Sequence, residues 1–547
     1  MNNEIEIWKN AELLTTEEKS QINQYSEAEL IDAFAGELGF GTGGARGLIG
    51  IGPNRLNRFT VSKLTLGVAK WLLANSAGSR VVIAYDNRYM SKEFASLSAQ
   101  ILMAQGIEVF CFEILMPTPL LSFAVRYLEA DAGIMITASH NPKEYNGYKL
   151  YNNFGAQLLP DEVESLLPFI ETVGATLQEY QYAETTAQPV PEACVAAYIA
   201  QVERLLHPQY RDDYAKVSIG YSPQHGTGGS IVPRVFAECG FTNVTYVAEQ
   251  MPSDEQFSAT KSANPENPQA FEQLLEYGER LQLDVLLTTD PDADRLGAGV
   301  RYQGSYQLLS GNQLGALVVD YLLQHGVDDG TVVKTIVTSD FGAAVARKGG
   351  LVVHETLTGF KYIGAFAHQE NPKQFVFGYE ESFGYLLGDF VFDKDAVQMC
   401  AVVAEMAAFY KRQGFTLVDR LEQLYAEFGF YLEDLWNLQV STARVQEIYQ
   451  IFDALPAELL LANGIVMKND YQTSRQYQLT EAREQVLTLP KAQVLKFYFS
   501  DGSWFCIRPS GTEPQIKLYF AVQGATNIES KKRLAELTDF ATSVLNF

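Results

Sequence analysis

A chain of 547 residues exceeds one compact domain, and typical domain sizes of about 100–200 residues predict roughly three to five. With 47% hydrophobic and 20% charged residues, it has the composition of a globular protein with several cores. A formal net charge of −25 excludes a generic basic surface for nucleic acid or anionic lipid, so positive charge for any anionic substrate has to be gathered locally.

The N-terminus, MNNEIEIWKN, is acidic and lacks the apolar core of a signal peptide. The longest apolar runs, such as Leu314–Val319, fall far short of the about 20 residues a membrane helix needs. Cys111, Cys194, Cys239, Cys400 and Cys506 are scattered without a CxxC pair, which reads as reduced thiols. The expected location is cytoplasmic, with no membrane association and no obligate protein partner evident. Glu27–Leu38 has helical periodicity, so the G-x-G-x-x-G formed by Gly39, Gly41 and Gly44 lacks the preceding strand of a dinucleotide site and is set aside.

Arg80–Tyr85, Ile107–Phe112 and Gly133–Thr137 read as buried strands. Directly after the last comes Thr137-Ala138-Ser139-His140-Asn141-Pro142. A serine past a strand end beside a histidine fits a nucleophile, and a plain Ser/Asn/Pro turn is the competing reading. No G-x-S-x-G surrounds Ser139, so the hydrolase elbow does not apply. Lys149 follows ten residues later as a charge or acid–base partner.

Val217–Tyr221 and Leu283–Thr288 read as further strands, with a helix over Ser230–Cys239 closed by Gly240. After the second strand comes Asp290-Pro291-Asp292-Ala293-Asp294-Arg295. Three carboxylates at alternate positions of an extended segment can converge on one hard cation, for which magnesium is the expected ion, and a plain acidic turn is the competing reading. An EF-hand is excluded because Arg295 takes the obligatory Gly position and Arg301 the bidentate Glu position. Thr331–Val337 reads as a strand, and the kinase-like Asp340-Phe341-Gly342 lacks its companion motifs.

Phe375–Phe377 precedes Gly378-Tyr379-Glu380-Glu381-Ser382-Phe383-Gly384, whose acids and serine suit hydroxyl recognition but alone read as a loop. Beyond about Phe430 a polar, helix-rich segment leads to Val494–Phe499 and Ile516–Val522, a smaller α+β domain. Between those two runs lies Arg508-Pro509-Ser510-Gly511-Thr512-Glu513-Pro514, which offers a guanidinium fork, hydroxyls and a glycine to an anion, with a surface turn as the competing reading. The strand–helix alternation predicts an α/β fold with parallel or mixed sheets. The polar clusters repeatedly follow strand ends, where open sheets bind ligands.

In the order TASHNP, DPDADR, GYEESFGY, RPSGTEP, the four clusters resemble the α-D-phosphohexomutase superfamily, in its phosphoglucomutase/phosphomannomutase branch, over roughly Phe40 to Phe520. The resemblance implies four domains around a central cleft. Three are related α/β domains with mixed sheets and the last is a smaller α+β domain. The expected spans are a phosphoserine domain over 1–210, a metal-binding domain over 211–307, a sugar-binding domain over 308–430 and a phosphate-binding domain over 431–547.

It further implies a phosphoserine at Ser139 and Mg²⁺ held by Asp290, Asp292, Asp294 and a phosphoserine oxygen. His140, Lys149, Arg295 and Arg46 match catalytic positions, Lys149 as the acid–base candidate. Thr358, Gly359 and Lys361 resemble a sugar-binding loop, Glu380 and Ser382 the pair on sugar hydroxyls, and Arg508, Ser510, Gly511 and Thr512 the distal phosphate loop. One departure is Thr42–Gly47, TGGARG in place of TAG-x-RG.

The implied reaction interconverts glucose 1-phosphate and glucose 6-phosphate through a glucose 1,6-bisphosphate that also acts as activator. The same chemistry on mannose or pentose phosphates, a magnesium-dependent phosphatase working through the same phosphorylated serine, and a regulatory homologue that only binds sugar phosphates are the alternatives.

Overall fold

Central strands form where apolar residues run without interruption, because a strand covered on both faces leaves no side for water. The computed structural model describes residues 2–41, 43–75, 79–369, 374–510 and 515–545. The chain divides into two compact units, Met1–Gly311 with Phe360–Thr416, and Asn312–Gly359 with Leu417–Phe547.

In the first unit, β1 (Ala45–Leu48), β2 (Arg80–Tyr85), β3 (Glu108–Cys111), β4 (Ala132–Ile136), β5 (Tyr145–Tyr151) and β6 (Gln188–Pro189) form a mixed sheet in the order β1-β5-β4-β2-β3-β6. The predicted runs RVVIAY and GIMIT become β2 and β4, which pair in parallel at the centre, while β5 returns antiparallel to β4. Helices Arg58–Asn75 and Ser91–Ala104 set Leu64, Val68, Phe94 and Leu102 against Val81, Ile83, Ile134 and Ile136.

A second mixed sheet orders β7 (Ile219–Ser222), β8 (Val244–Tyr246), β9 (Val285–Thr289), β10 (Leu296–Tyr302) and β11 (Ser305–Leu309) as β11-β10-β9-β7-β8. Its helix Gly228–Cys239 stops at Gly240, whose φ of 96° lies in the left-handed region that closes helices. The strands Phe375–Tyr379 and Tyr385–Leu387 pair antiparallel around the GYEESFGY turn.

Helix Glu27–Phe34, with a capping box between Ser26 and Glu29, precedes the glycines at 39, 41 and 44, as the rejection of a dinucleotide site requires. No described helix is long and apolar enough to cross a membrane.

The second unit carries the parallel strands Thr331–Thr335 and Val352–Thr356 and a seven-stranded antiparallel sheet. Helices Thr442–Asp453 and Asn527–Leu545 bury Ile448, Phe452, Leu537 and Ala541 with Phe497, Phe505 and Phe520, giving the expected α+β C-terminal domain. Asp340 of the kinase-like triplet pairs with the buried Lys334 at 3.2 Å and accepts the Trp504 indole N–H at 3.1 Å, a structural use.

One expectation is corrected in this unit. The segment read as polar and helix-rich begins with a ten-residue strand, Phe430–Gln439, paired along its whole length with Gln515–Gly524. FYLEDLWNLQ has no clean alternation, and its partner strand imposes the extended form.

Candidate active site

The loop after β4 turns sharply at Ser139, whose φ is +53°, a left-handed conformation uncommon for a residue other than glycine. The turn buries Ser139 and aims its hydroxyl at the loop after β9, where Oγ donates to Asp290 Oδ2 at 2.6 Å. His140 Nδ1 lies 3.4 Å from the same Oγ. Burial, reinforced by Arg295 and Arg46, holds His140 well below the usual histidine range, so its imidazole is neutral. Arg46, on β1, reaches the same loop by donating to Asn141 Oδ1 at 3.0 Å.

The three aspartates converge, but by a turn and not along an extended segment as their alternate spacing suggested. Ala293 takes φ 50°, and Asp290 Oδ1 accepts the N–H groups of Asp294 and Arg295, both at 3.0 Å. One carboxylate oxygen from each of Asp290, Asp292 and Asp294 then falls within 4.8 Å of the others, a grouping placed to hold a metal ion.

Two features fit a hard cation there. Asp292 Oδ1 and Asp294 Oδ1 are buried and accept no hydrogen bond, which is costly unless another partner takes the lone pairs. Burial and the two neighbouring carboxylates also push Asp290 well above the usual aspartate range.

Two ammonium groups face the cluster. Lys149 Nζ, from β5, lies 2.7 Å from Asp292 Oδ2 and 3.5 Å from Asp294 Oδ2. Burial opposes its charge, but the two carboxylates outweigh burial and raise Lys149, so it stands as a protonated donor. Lys394 Nζ lies 3.1 Å from Asp294 Oδ2 and 3.3 Å from Asp393 Oδ1. Arg295 pairs with Glu266. Thr118 adds a hydroxyl bond to Asp292 Oδ2 at 2.8 Å.

The GYEESFGY turn, which alone read only as a loop, is tied to this cluster. Leu296 N–H donates to Phe383 O at 3.0 Å, and Arg295 bridges to Gly384. Glu380 is buried and adds to the negative field on Arg295 and Lys394, and Ser382 Oγ lies 3.5 Å from Glu380 Oε2. Lys361, in helix Phe360–Gln369, places its ammonium 5.2 Å from the Tyr362 ring centroid.

The remaining expected residues belong to the second unit. Gly359 has φ 119°, a conformation only glycine adopts readily, and the Thr358 hydroxyl is buried without a hydrogen-bond partner. Arg508 is the penultimate residue of the strand Trp504–Pro509, opposite Lys517, and Ser510 N–H donates to Gln515 O at 2.9 Å. Gly511 and Thr512 lie outside the described residues.

Sequence reasoning missed Lys394, Glu266 and Thr118, whose approach to the cluster is set by tertiary packing. Lys394 alone carried a signal, as the charged triplet Asp393-Lys394-Asp395 between the apolar runs FVF and AVQMCAVV.

It also missed Gly226 and Thr227, which support the acidic turn from below. Thr227 N–H donates to Pro291 O at 2.7 Å, and a Cβ on Gly226 would stand 2.4 Å from Pro291 Cα. Gly226→Ala is therefore expected to displace the turn, destabilising the protein by about 1–3 kcal/mol. It should also raise the Mg²⁺ concentration giving half-maximal activity. Thermal unfolding with a magnesium titration checks both.

Four domain models of the phosphoglucomutase/phosphomannomutase family match the chain. They are alpha/beta/alpha domain I at residues 37–175, domain II at 196–304, domain III at 310–428 and the C-terminal domain at 445–536. The chain belongs to this family of mutase enzymes.

A phosphoglucomutase of Staphylococcus epidermidis is 39% identical over 91% of the chain and 93% of its own length. One of Staphylococcus haemolyticus is 36% identical over 94% and 95%. Among solved structures, a putative phosphomannomutase from Thermus thermophilus gives a TM-score of 0.70 at 21% identity, covering 92% of this chain and 98% of that one. The open form of the Paramecium phosphoprotein pp63/parafusin gives a TM-score of 0.70 at 17% identity over 94% and 95%. These structural likenesses establish the shared fold.

Proposed function

We propose that this member of the family interconverts glucose 1-phosphate and glucose 6-phosphate, with Ser139 carrying the phosphoryl group and glucose 1,6-bisphosphate as the intermediate. The observation that carries the reading is the Ser139 hydroxyl, 2.6 Å from one carboxylate of a buried acidic triad in which two oxygens accept no hydrogen bond.

A serine phosphate survives in water, so the chain can store a phosphoryl group on Ser139 between turnovers. In the forward step the bond between phosphorus and Ser139 Oγ breaks as a bond to the free sugar hydroxyl forms, and the proton leaving that hydroxyl ends on Ser139 Oγ. The bisphosphate then presents its other phosphate, and the same exchange runs in reverse.

Asp290, Asp292 and Asp294 would hold magnesium, which supplies charge neutralisation for the transferring group. Lys149, protonated between Asp292 and Asp294, offers a proton-bearing group beside the serine. His140, Arg46 and Arg295 complete the serine-side machinery. Thr358, Gly359, Lys361, Glu380 and Ser382 read the sugar. Arg508, Ser510, Gly511 and Thr512 hold the phosphate that is not reacting.

The four-domain division at 1–210, 211–307, 308–430 and 431–547 belongs to the same reading, supported by the spans the family models match. So do a cytoplasmic location and sugar phosphates as partners.

Two outcomes follow. Arg508→Ala should raise KM for glucose 1-phosphate by an amount equivalent to about 1.5–3 kcal/mol, the worth of a hydrogen bond to a charged group. An unmoved KM would give the loop another job. The reading as a whole is tested by steady formation of glucose 6-phosphate from glucose 1-phosphate with Mg²⁺ and catalytic glucose 1,6-bisphosphate. Mannose 1-phosphate and ribose 1-phosphate run in parallel test the mannose and pentose alternatives. Release of inorganic phosphate in place of product would favour the phosphatase, and binding without turnover the regulatory homologue.

A further inference from the structure

A serine in the left-handed region persists only where its surroundings over-determine it. At Ser139 both backbone groups are held, and both restraints lead to one buried carboxylate. Asp86, just past β2, accepts the Thr137 hydroxyl at 2.6 Å through Oδ2, and that hydroxyl oxygen accepts the Ser139 N–H at 2.8 Å. On the other side, Arg88 Nε lies 3.3 Å from Asp86 Oδ2, and Arg88 Nη2 donates to Ser139 O and to Asn141 O.

Arg88 Nη1 completes the grip on Pro142 O at 2.8 Å and Tyr145 O at 3.0 Å. Asp86 is fixed in turn by Ser91 Oγ at 2.6 Å and by the Arg88 N–H at 2.9 Å. Both charged side chains are fully excluded from solvent. The Arg88 side chain bonds Asp86 and backbone carbonyls of the serine loop, and the Asp86 carboxylate takes Arg88, Ser91 and Thr137; none of these bonds runs to Ser139 Oγ or to Asp290, Asp292 or Asp294.

We propose that Asp86 and Arg88 are positioning residues that impose the left-handed turn at Ser139 through two arms, one by way of Thr137 and one through the guanidinium. They thereby set the line of phosphoryl transfer. The proposal rests on the reading of Ser139 as the phosphoryl acceptor.

Only a guanidinium spans four carbonyls, because its donors are fixed in a planar fork, whereas a lysine offers three donors from one point. Asp86→Asn likewise turns an amide N–H₂ toward one of the donors that the carboxylate accepts.

The test uses the full chain with Mg²⁺ and glucose 1,6-bisphosphate. Phosphate uptake at Ser139 is followed by intact mass and peptide mapping, together with kcat, KM for glucose 1-phosphate and thermal unfolding. Arg88→Lys and Asp86→Asn should slow both phosphate uptake and kcat by about 10²-fold, the cost of a displacement of about 1 Å, with KM within about threefold of wild type.

Should either fail to fold, Thr137→Val tests the other arm by replacing the bridging hydroxyl with a methyl. It should show the same loss in kcat, and Thr137→Ser, which keeps the hydroxyl, should restore it. Wild-type rates in Arg88→Lys or Thr137→Val overturn the proposal. So does a loss that disappears wherever the variant is fully folded. Phosphate on wild-type Ser139 with unchanged variants removes the positioning role alone. No phosphate on wild type removes the acceptor reading, and the positioning role with it.

Discussion

Ser139→Ala is expected to lower kcat for glucose 1-phosphate by at least about 10⁴-fold, because losing a covalent nucleophile removes the route itself and not one of its supports. The fold should survive, since the loop is held by contacts to its backbone from Arg88 and Thr137 that alanine does not disturb. Substrate binding should also survive, because the residues assigned to the distal phosphate lie on a different strand end. The prediction is therefore a selective one, a dead but folded enzyme that still binds sugar phosphate in calorimetry. Residual activity within about tenfold of wild type would place the phosphoryl acceptor elsewhere.

Asp292→Asn should cost on the order of 10²-fold or more in kcat, since transition-state charge neutralisation is among the largest single contributions to such reactions. Asp292 is the informative member of the triad because it meets both kinds of partner. One oxygen takes Lys149 at 2.7 Å and Thr118 at 2.8 Å, while the other is buried with no hydrogen-bond partner. The amide keeps the size but loses the charge.

The Mg²⁺ concentration for half-maximal activity should rise by about tenfold or more, a loss of about 1.4 kcal/mol in metal binding. A parallel Thr118→Val variant removes only the hydroxyl and should move it less. Activity that survives exhaustive chelation, or an Asp292→Asn enzyme with unchanged magnesium dependence, would contradict a metal site here.

The buried strands were legible because each is a short apolar run ended by a polar cluster. RVVIAY, GIMIT and LDVLLT lie in place as β2, β4 and β9 with ends shifted by a residue or two. The strand Phe430–Gln439 was not legible, since its pattern is half polar and its extension comes from pairing with Gln515–Gly524.

At the site, the residue types of the triad were readable, but their geometry was not. The convergence depends on the left-handed Ala293 and on two backbone N–H groups closing onto Asp290 Oδ1, neither of which a spacing rule encodes. Lys394 and Glu266 are distant in sequence from the residues they face. Their roles follow from tertiary packing, where Asp393 is also held by Tyr151 at 2.8 Å and Gln157 at 2.7 Å. The Asp86–Arg88 pair was invisible for a related reason. It acts on the backbone of another loop, and backbone contacts leave no mark on the residue types that receive them.

The most direct measurement is a chase of the labelled phosphoenzyme. The chain is charged with ³²P from labelled glucose 1,6-bisphosphate, freed of sugar, and mixed with unlabelled glucose 1-phosphate and Mg²⁺ within one turnover. The expected result is that label leaves the peptide containing Ser139 as fast as the enzyme turns over and appears on the 6-position oxygen of glucose. Label that stays on the protein during full turnover, or that leaves as inorganic phosphate, would contradict a mutase working through Ser139.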